Sequence, residues 1–395
     1  MTTKTIIALS TATCAVGTQT FVFAGLLIEL AADMNISVPV AGYLAVAYAI
    51  TYALTAPFIA LKTGRLERRR LLWIALLVLG LINLLAALAS SFNELIGLRI
   101  LAGLAATLIM PVVPPIIAAL LPVEKRGPAL AMVTGGMVLA FLLGMPLGSL
   151  VGQMFDWRAT FVLAALICLG SALTVRLVLP QVHSDDGAGW HLLLQGWEPS
   201  VRRLLLMTLA AFSATFCVIP YIAPVMKLII GSTDKVAFSQ MLVGVGALIG
   251  IVIAGRIGTP RRPALVLTSI FVVIGVTQLL YSLSMLLIPG NGLISWLGLG
   301  SAILFGAAAL FALTPLVQAQ LLEAAPHARQ VAVALNGSVM FLGQGAGAAL
   351  GAWISQSLSL SLLGVAGVGV AIMGGLCAWH LHDHATDTAA QAERN

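Results

Sequence analysis

Arg99 lies within a long apolar run, where a guanidinium costs several kcal/mol unless it is paired or hydrated. Such a group either serves a function inside the fold that repays its burial or, near the end of its run, reaches water along its own aliphatic stem. Arg99 sits about nine residues from the centre of the run, roughly 13 Å at 1.5 Å per residue, so its spacing leaves both roles open. The nearest candidate acids are Glu29 and Asp33, at the end of the first apolar run. Glu29 is about eleven residues, roughly 16 Å, from the centre of that run, a depth that also suits a solvated surface acid. The six histidines, His183, His191, His327, His380, His382 and His384, fall outside the apolar runs or at the end of the last one. No deep imidazole is therefore available to shuttle protons or ligate haem or metal. Cys14, Cys168, Cys217 and Cys377 all stand in apolar runs, where a thiol acts as a small apolar filler. A membrane enzyme is disfavoured, and neither a cofactor nor a metal is expected.

A second group of residues is polar but uncharged. Gln19 and Thr20 lie in the middle of the first run, and Tyr48 and Tyr52 share a helix face at i, i+4. Met110 and Met137 offer adaptable apolar contact, and Tyr221, Asn336 and Gln344 stand in the second half of the chain. Each has two readings, as an interhelical bond or core contact, or as the lining of a ligand cavity between two helical bundles. A cavity of amides and hydroxyls with no deep carboxylate suits neutral or anionic small molecules better than organic cations.

The elements that position these groups follow from composition. Of 395 residues 60% are hydrophobic and 9% charged, far below the quarter expected of a soluble domain. The solvent is lipid. Runs of about 20 apolar residues fall near 6–30, 40–61, 71–90, 95–121, 128–151 and 159–180, and again near 204–230, 237–256, 264–288, 293–322, 330–355 and 360–379. The first is too long for a signal peptide and is read as a spanning helix. The expectation is an all-α membrane protein of about twelve helices: a six-helix bundle over 1–180, a cytoplasmic linker over 181–203, a second bundle over 204–380 and a cytoplasmic tail over 381–395. Basic residues collect in alternate loops, at Lys62, Arg65, Arg68, Arg69 and Arg70, at Lys125 and Arg126, at Arg202 and Arg203, at Arg256, Arg261 and Arg262, and at Arg329. The opposite loops hold little beyond Arg158, Lys227 and Lys235, so both termini are placed in the cytoplasm. The net charge of +6 is thus a matter of topology rather than of nucleic-acid binding.

The chain also repeats. Arg126 to Gly148 (RGPALAMVTGGMVLAFLLGMPLG) aligns with Arg329 to Gly351 (RQVAVALNGSVMFLGQGAGAALG), matching Ala129 with Ala332, Gly144 with Gly347 and Gly148 with Gly351. GRLERRR after the second run finds an echo in GRIGTPRRP after the eighth.

Several strings resemble the major facilitator superfamily, and within it the bacterial drug:proton antiporter branch that includes sugar-efflux, arabinose-efflux-like and purine-nucleoside-efflux permeases. They are GLLIELAADMNISVPVAGYLAVAYAITYALTAP, GMPLGSLVGQMFDWRATF, PYIAPVMKLIIG and PLVQAQLLEAAPHARQVAVALNGS. The resemblance covers nearly the whole chain. It implies two pseudo-symmetric six-helix bundles in a bacterial inner membrane, export of a small molecule by proton antiport, and a monomer. It gives the loop after span two a gating role: Arg65, Arg68 and Arg69 match the family's Gly-x-x-x-Asp-Arg-x-Gly-Arg-Arg, while Ala60, Gly64 and Glu67 replace its first Gly, its Asp and its second Gly. Glu67 is the candidate substitute for the missing acid. Arg99 and Gly103 match an Arg-x-x-x-Gly pattern whose arginine is implied in proton coupling or substrate binding, and Gly144, Pro146 and Gly148 match a reduced form of the antiporter pattern in span five. Related sequences carry Gly-Thr-x-Glu-Phe in span one, where this chain reads Gly17-Thr18-Gln19-Thr20-Phe21. With that acid absent, coupling through Glu29 with Arg99 or through the substrate's own charge, uncoupled facilitation or import, and a non-transporting sensor all stay open.

Overall fold

In hydrocarbon a backbone must bond within its own segment, and about twenty helical residues cross the 30 Å core. The computed structural model describes residues 3–63, 66–182, 198–258, 260, 262–287, 290, 292–325 and 329–380. Among these, twelve helices are long and apolar enough to span a membrane, and none of the described residues forms a strand. They are α1 (Thr3–Asp33), α2 (Val38–Ile59), α3 (Arg68–Ala87), α4 (Phe92–Leu120), α5 (Lys125–Met154), α6 (Trp157–Val178), α7 (Pro199–Ile230), α8 (Val236–Ile257), α9 (Pro263–Leu287), α10 (Leu293–Ala324), α11 (Val331–Ser357) and α12 (Leu360–Trp379). Several run past the apolar stretches that mark them. Residues 199–203 of the expected linker form the first turn of α7, started by Pro199 at a position where its missing N–H costs nothing. Arg65, most of that linker and the tail 381–395 lie outside the described residues.

Packing divides the chain into two units. One comprises Met1–Trp190 with Pro220–Pro224 and Thr233–Gly244; the other comprises His191–Ile219, Val225–Ser232 and Val245–Asn395. The same break occurs in the first spanning helix of each half of the sequence. In α1 the helix runs to Phe21, a 3₁₀ turn covers Ala24–Leu26 and a helix resumes at Leu27; in α7 the helix runs to Phe216, a 3₁₀ turn covers Ile219–Tyr221 and a helix resumes at Ile222. All three positions are displaced by 195 residues (21 to 216, 24 to 219, 27 to 222).

The docking of the broken helix is repeated too. In the first unit Thr13 donates to the Val133 carbonyl at 2.6 Å, and Gly144 and Gly148 of α5 take the Thr18 and Val22 side chains of α1 where a Cβ would stand. In the second, Thr208 donates to Asn336 Oδ1 at 2.7 Å, and Gly347 of α11 lies against the Ser213 backbone of α7. The small residues let backbones approach closely, which is how helices associate in a solvent that offers no hydrophobic drive between them. Of the two docking helices α5 alone is distorted: Pro146 has no N–H and its ring opposes the carbonyl four residues back, and a π turn over Ala140–Gly144 absorbs the misfit. In α11 Ala349 stands at the matching position, and the helix is unbroken over Arg329–Ser357.

The lipid face is legible on α3 and α6, which pack through Gly80 against Leu169 and the Ala165 carbonyl. Their outer stripes of large apolar side chains, among them Leu81, Leu85, Leu166 and Leu173, are exposed as only a membrane protein tolerates. At one edge of this unit Asp33 accepts from Arg158 at 2.8 Å and from the Trp157 indole at 3.0 Å, while Arg158 also bonds Asp156 and stacks on Trp157. Asp33 thus ties the end of α1 to the start of α6.

Gly148→Leu should force α5 away from Val22 and cost about 1–3 kcal/mol, read as a lowered unfolding midpoint in detergent. Gly170→Ala, where an added Cβ meets nothing within 4 Å, should be neutral within about 0.5 kcal/mol.

Candidate functional site

Arg99 stands on the first helical segment of α4, Phe92–Ala106. One turn further on, Gly103 faces α2 so closely that a Cβ would lie 2.7 Å from the Tyr48 carbonyl. This glycine draws α4 onto α2, and the Arg-x-x-x-Gly spacing thereby places the guanidinium beside Leu44 and Tyr48. The break in α1 supplies the rest. A helix leaves its last four carbonyls without intrahelical partners and carries partial negative charge at that end. Arg99 takes two of them, donating from Nη1 to the Gln19 carbonyl at 3.0 Å and from Nη2 to the Thr20 carbonyl at 2.7 Å. It also donates to the Gln19 side-chain Oε1 at 3.3 Å and to the Leu44 carbonyl at 3.4 Å.

Two rings close the site. The guanidinium carbon lies 5.0 Å from the Phe23 ring centroid and 4.7 Å from that of Tyr48, within reach of the ring quadrupoles. The Thr20 hydroxyl lies 2.6 Å from the Val16 carbonyl and 3.2 Å from the Tyr48 hydroxyl, which fixes the Tyr48 ring over the cation. Arg99 is 1% exposed, so it does not reach out to water. Among the described residues, Arg68 and Arg99 are the buried charged side chains. The Arg99 cation is therefore compensated by carbonyl dipoles and ring faces, with no carboxylate among its hydrogen-bond partners.

The remaining expected residues divide by environment. Glu29 is exposed and is not among the partners of Arg99, so the structure does not bring these two together. Gln19, Thr20 and Tyr48 join Arg99 in one cluster, and Tyr52 is buried on the same helix as Tyr48. Met137 packs its sulfur on Gly17, Met110 is half-buried in the 3₁₀ turn that interrupts α4, and Tyr221 places its ring over Gly42. In the second unit Asn336 is fully buried and accepts from Thr208, while its Nδ2 has no protein partner; nor has Gln344 Oε1. Both are open hydrogen-bonding groups in a helix where an unmet polar atom costs about 1–3 kcal/mol.

The gating candidates on the described residues have other contacts. Glu67 caps α3, accepting from the Arg69 and Arg70 backbone N–H groups at 2.8 and 2.7 Å and from the Val182 N–H at 3.1 Å. The Arg68 N–H in turn donates to the Val182 carbonyl, which pins the start of α3 to the chain beyond α6. Arg69 donates to the Arg176 carbonyl. Gly144, Pro146 and Gly148 shape the contact of α5 with α1. Phe23 and Leu44 escaped the sequence reading although each lies four residues from a residue it singled out, Gln19 and Tyr48. In the first unit Ser149, which donates to Gln240 Oε1 at 2.7 Å, was also missed.

Twelve apolar helices, a doubled plan of broken and docked spans, and polar groups buried within them define a membrane transporter. The chain belongs to the Major Facilitator Superfamily, whose model matches residues 9–327. Solved structures with a similar fold include a D-xylose-proton symporter (17% identity, TM-score 0.76, covering 95% of this chain and 97% of that one). A bacterial homologue of the human lysosomal transporter Spinster, inward-facing and unoccupied, matches with 17% identity and TM-score 0.71 over 95% of both chains. The human organic anion transporter MFSD10 (TETRAN) matches with 16% identity and TM-score 0.70, over 95% of this chain and 99% of that one. At these identities the likeness is one of fold.

Gly103→Val should push α4 off α2 and loosen the bonds of Arg99 to Leu44 and its stacking on Tyr48. The expected outcome is a loss of about 1–3 kcal/mol, measured by unfolding in detergent.

Proposed function

We propose that this protein exports a small neutral or anionic organic molecule in exchange for protons, by alternating access of bundles over 1–180 and 204–380. The observation that carries the substrate class is the Arg99 cage, a buried positive charge with no carboxylate among its partners. Such a site disfavours organic cations, which need a buried negative partner when they leave water. The open Asn336 Nδ2 and Gln344 Oε1 add hydrogen-bonding capacity without charge, which suits sugars, nucleosides, weakly acidic metabolites or uncharged drugs. A sugar symporter and an organic anion transporter among the similar folds accord with that range. The lean to antiport rests on Gly144, Pro146 and Gly148, whose pattern in α5 resembles that of exporters. Both termini are read as cytoplasmic on the strength of the loop charges, and the monomer in a bacterial inner membrane on the family resemblance.

Uncoupled facilitation is the second reading. Thr20 stands where related sequences carry an acid, and Glu29 is exposed.

Purified protein in liposomes, given an imposed pH gradient and a panel of sugars, nucleosides, organic anions and drugs, separates the two. Antiport predicts that an acidic lumen drives accumulation above the outside concentration. Equilibration that ignores the gradient would leave facilitation. For whichever compound is carried, Asn336→Ala and Gln344→Ala should each raise the half-saturating concentration on the order of tenfold, the effect of one hydrogen bond of about 1.4 kcal/mol.

A further inference from the structure

Where α3 begins and α6 ends, three arginines stand at the ends of two packed helices. Arg69 and Arg70 open α3, and Arg176 lies in the last turn of α6. Arg69 donates through its guanidinium to the Arg176 carbonyl, and the Arg176 guanidinium lies 5.1 Å from the Trp73 ring centroid. Arg70 and Arg176 are exposed and Arg69 is half-exposed. Among the described residues Glu67 is the acid bonded here, and both its oxygens accept backbone N–H groups, from Arg69, Arg70 and Val182. Among the described residues none of the three guanidinia is in an ion pair. Like charges at adjoining helix ends, with no ion-pair partner among the described residues, leave a local positive field that an external anion lowers.

What lies beside the arginines identifies the anion. Four residues beyond Arg70, Ile74 opens an exposed apolar stripe that continues along α3 through Val78 and Leu81. On α6, Leu177 adjoins Arg176 and the exposed stripe continues through Leu173 and Leu166. The two stripes are neighbours, because α3 and α6 pack together through Gly80 and Leu169. A headgroup phosphate at the arginines would carry its acyl chains along these stripes. Arginine presents a planar fork of donors that matches phosphate oxygens, and Trp73 holds one fork flat at the interfacial level where indoles concentrate. A free phosphate ion would satisfy the charge and leave the apolar surface unused.

We infer that Arg69, Arg70 and Arg176, with Trp73, form a binding site for the headgroup of an anionic phospholipid at the junction of α3 and α6. The site is distinct from the Arg99 cluster and stands whether or not the proposed transport reaction is right. A bound lipid would join the start of α3 to the end of α6 at the point where Glu67 and Val182 already join their backbones.

Native mass spectrometry of the full-length protein, equilibrated with equal amounts of phosphatidylglycerol and phosphatidylcholine, tests this directly. The wild type should retain phosphatidylglycerol in preference by on the order of tenfold, which is about 1.4 kcal/mol shared among the three arginines. Arg69→Gln with Arg176→Gln should bring that preference close to one, while Arg202→Gln with Arg203→Gln leaves it unchanged. Equal retention of the two lipids by the wild type overturns the site, even where the double variant does not fold. So does an undiminished preference in a folded double variant. Binding of inorganic phosphate that Arg69→Gln with Arg176→Gln abolishes, together with equal retention of the two lipids, would mean that the arginines take a free anion, and would overturn the assignment to lipid.

Discussion

A guanidinium cannot be left bare in a low-dielectric interior, and the first half of this protein is arranged around meeting that demand for Arg99. The solution uses no opposite charge. It uses the negative end of a helix that stops at Phe21, one further carbonyl from α2, and the faces of Phe23 and Tyr48. Each part depends on another. The carbonyls of Gln19 and Thr20 lie in the last turn before the break in α1; α4 comes close enough because Gly103 lacks a side chain; Tyr48 is held in place by Thr20. A helix break that would otherwise leave polar groups unmet in lipid becomes the receptor for a cation that would otherwise be too costly to bury.

The second half keeps the plan and omits the charge. It repeats the break at the corresponding place in α7 and docks it on α11 through a threonine bond and a close glycine, as the first half docks α1 on α5. Among its described residues no charged side chain is buried, and Asn336 and Gln344 each keep a hydrogen-bonding atom without a protein partner. Duplication has left one broken helix closed by the protein's own arginine. The other is neighboured by neutral groups with capacity to spare.

Much of this was legible in the sequence, because lipid imposes a length and a composition on every span. All twelve helices follow the apolar runs, and the repeat from Arg126 and Arg329 marks the two glycine-lined docking helices. Interruptions were harder. Nothing in the type of Phe21 or Val22 announces a break, whereas Pro146 announced a distortion that takes the form of a π turn. For Arg99, distance from the centre of its run could not separate a buried residue from a snorkelling one, since the choice depends on how closely α2 and α1 approach. Glu67 shows the same limit. The family resemblance offers it as a substitute for the missing acid of a latch; a carboxylate just ahead of a helix finds backbone N–H groups, and its oxygens cap α3. Glu29 reads from the sequence either as a solvated surface acid or as a partner for Arg99; it is exposed while Arg99 is enclosed.

The central claim is that carbonyls and rings, rather than an acid, hold the Arg99 cation. A double-mutant cycle on unfolding free energy in detergent, combining Arg99→Gln with Tyr48→Leu, tests it most directly. The cage predicts coupling of about 0.5–2 kcal/mol between the two positions, the range of a desolvated cation–π contact. Additive losses, within about 0.3 kcal/mol, would contradict it and mean that the ring merely fills space beside a charge held by something else.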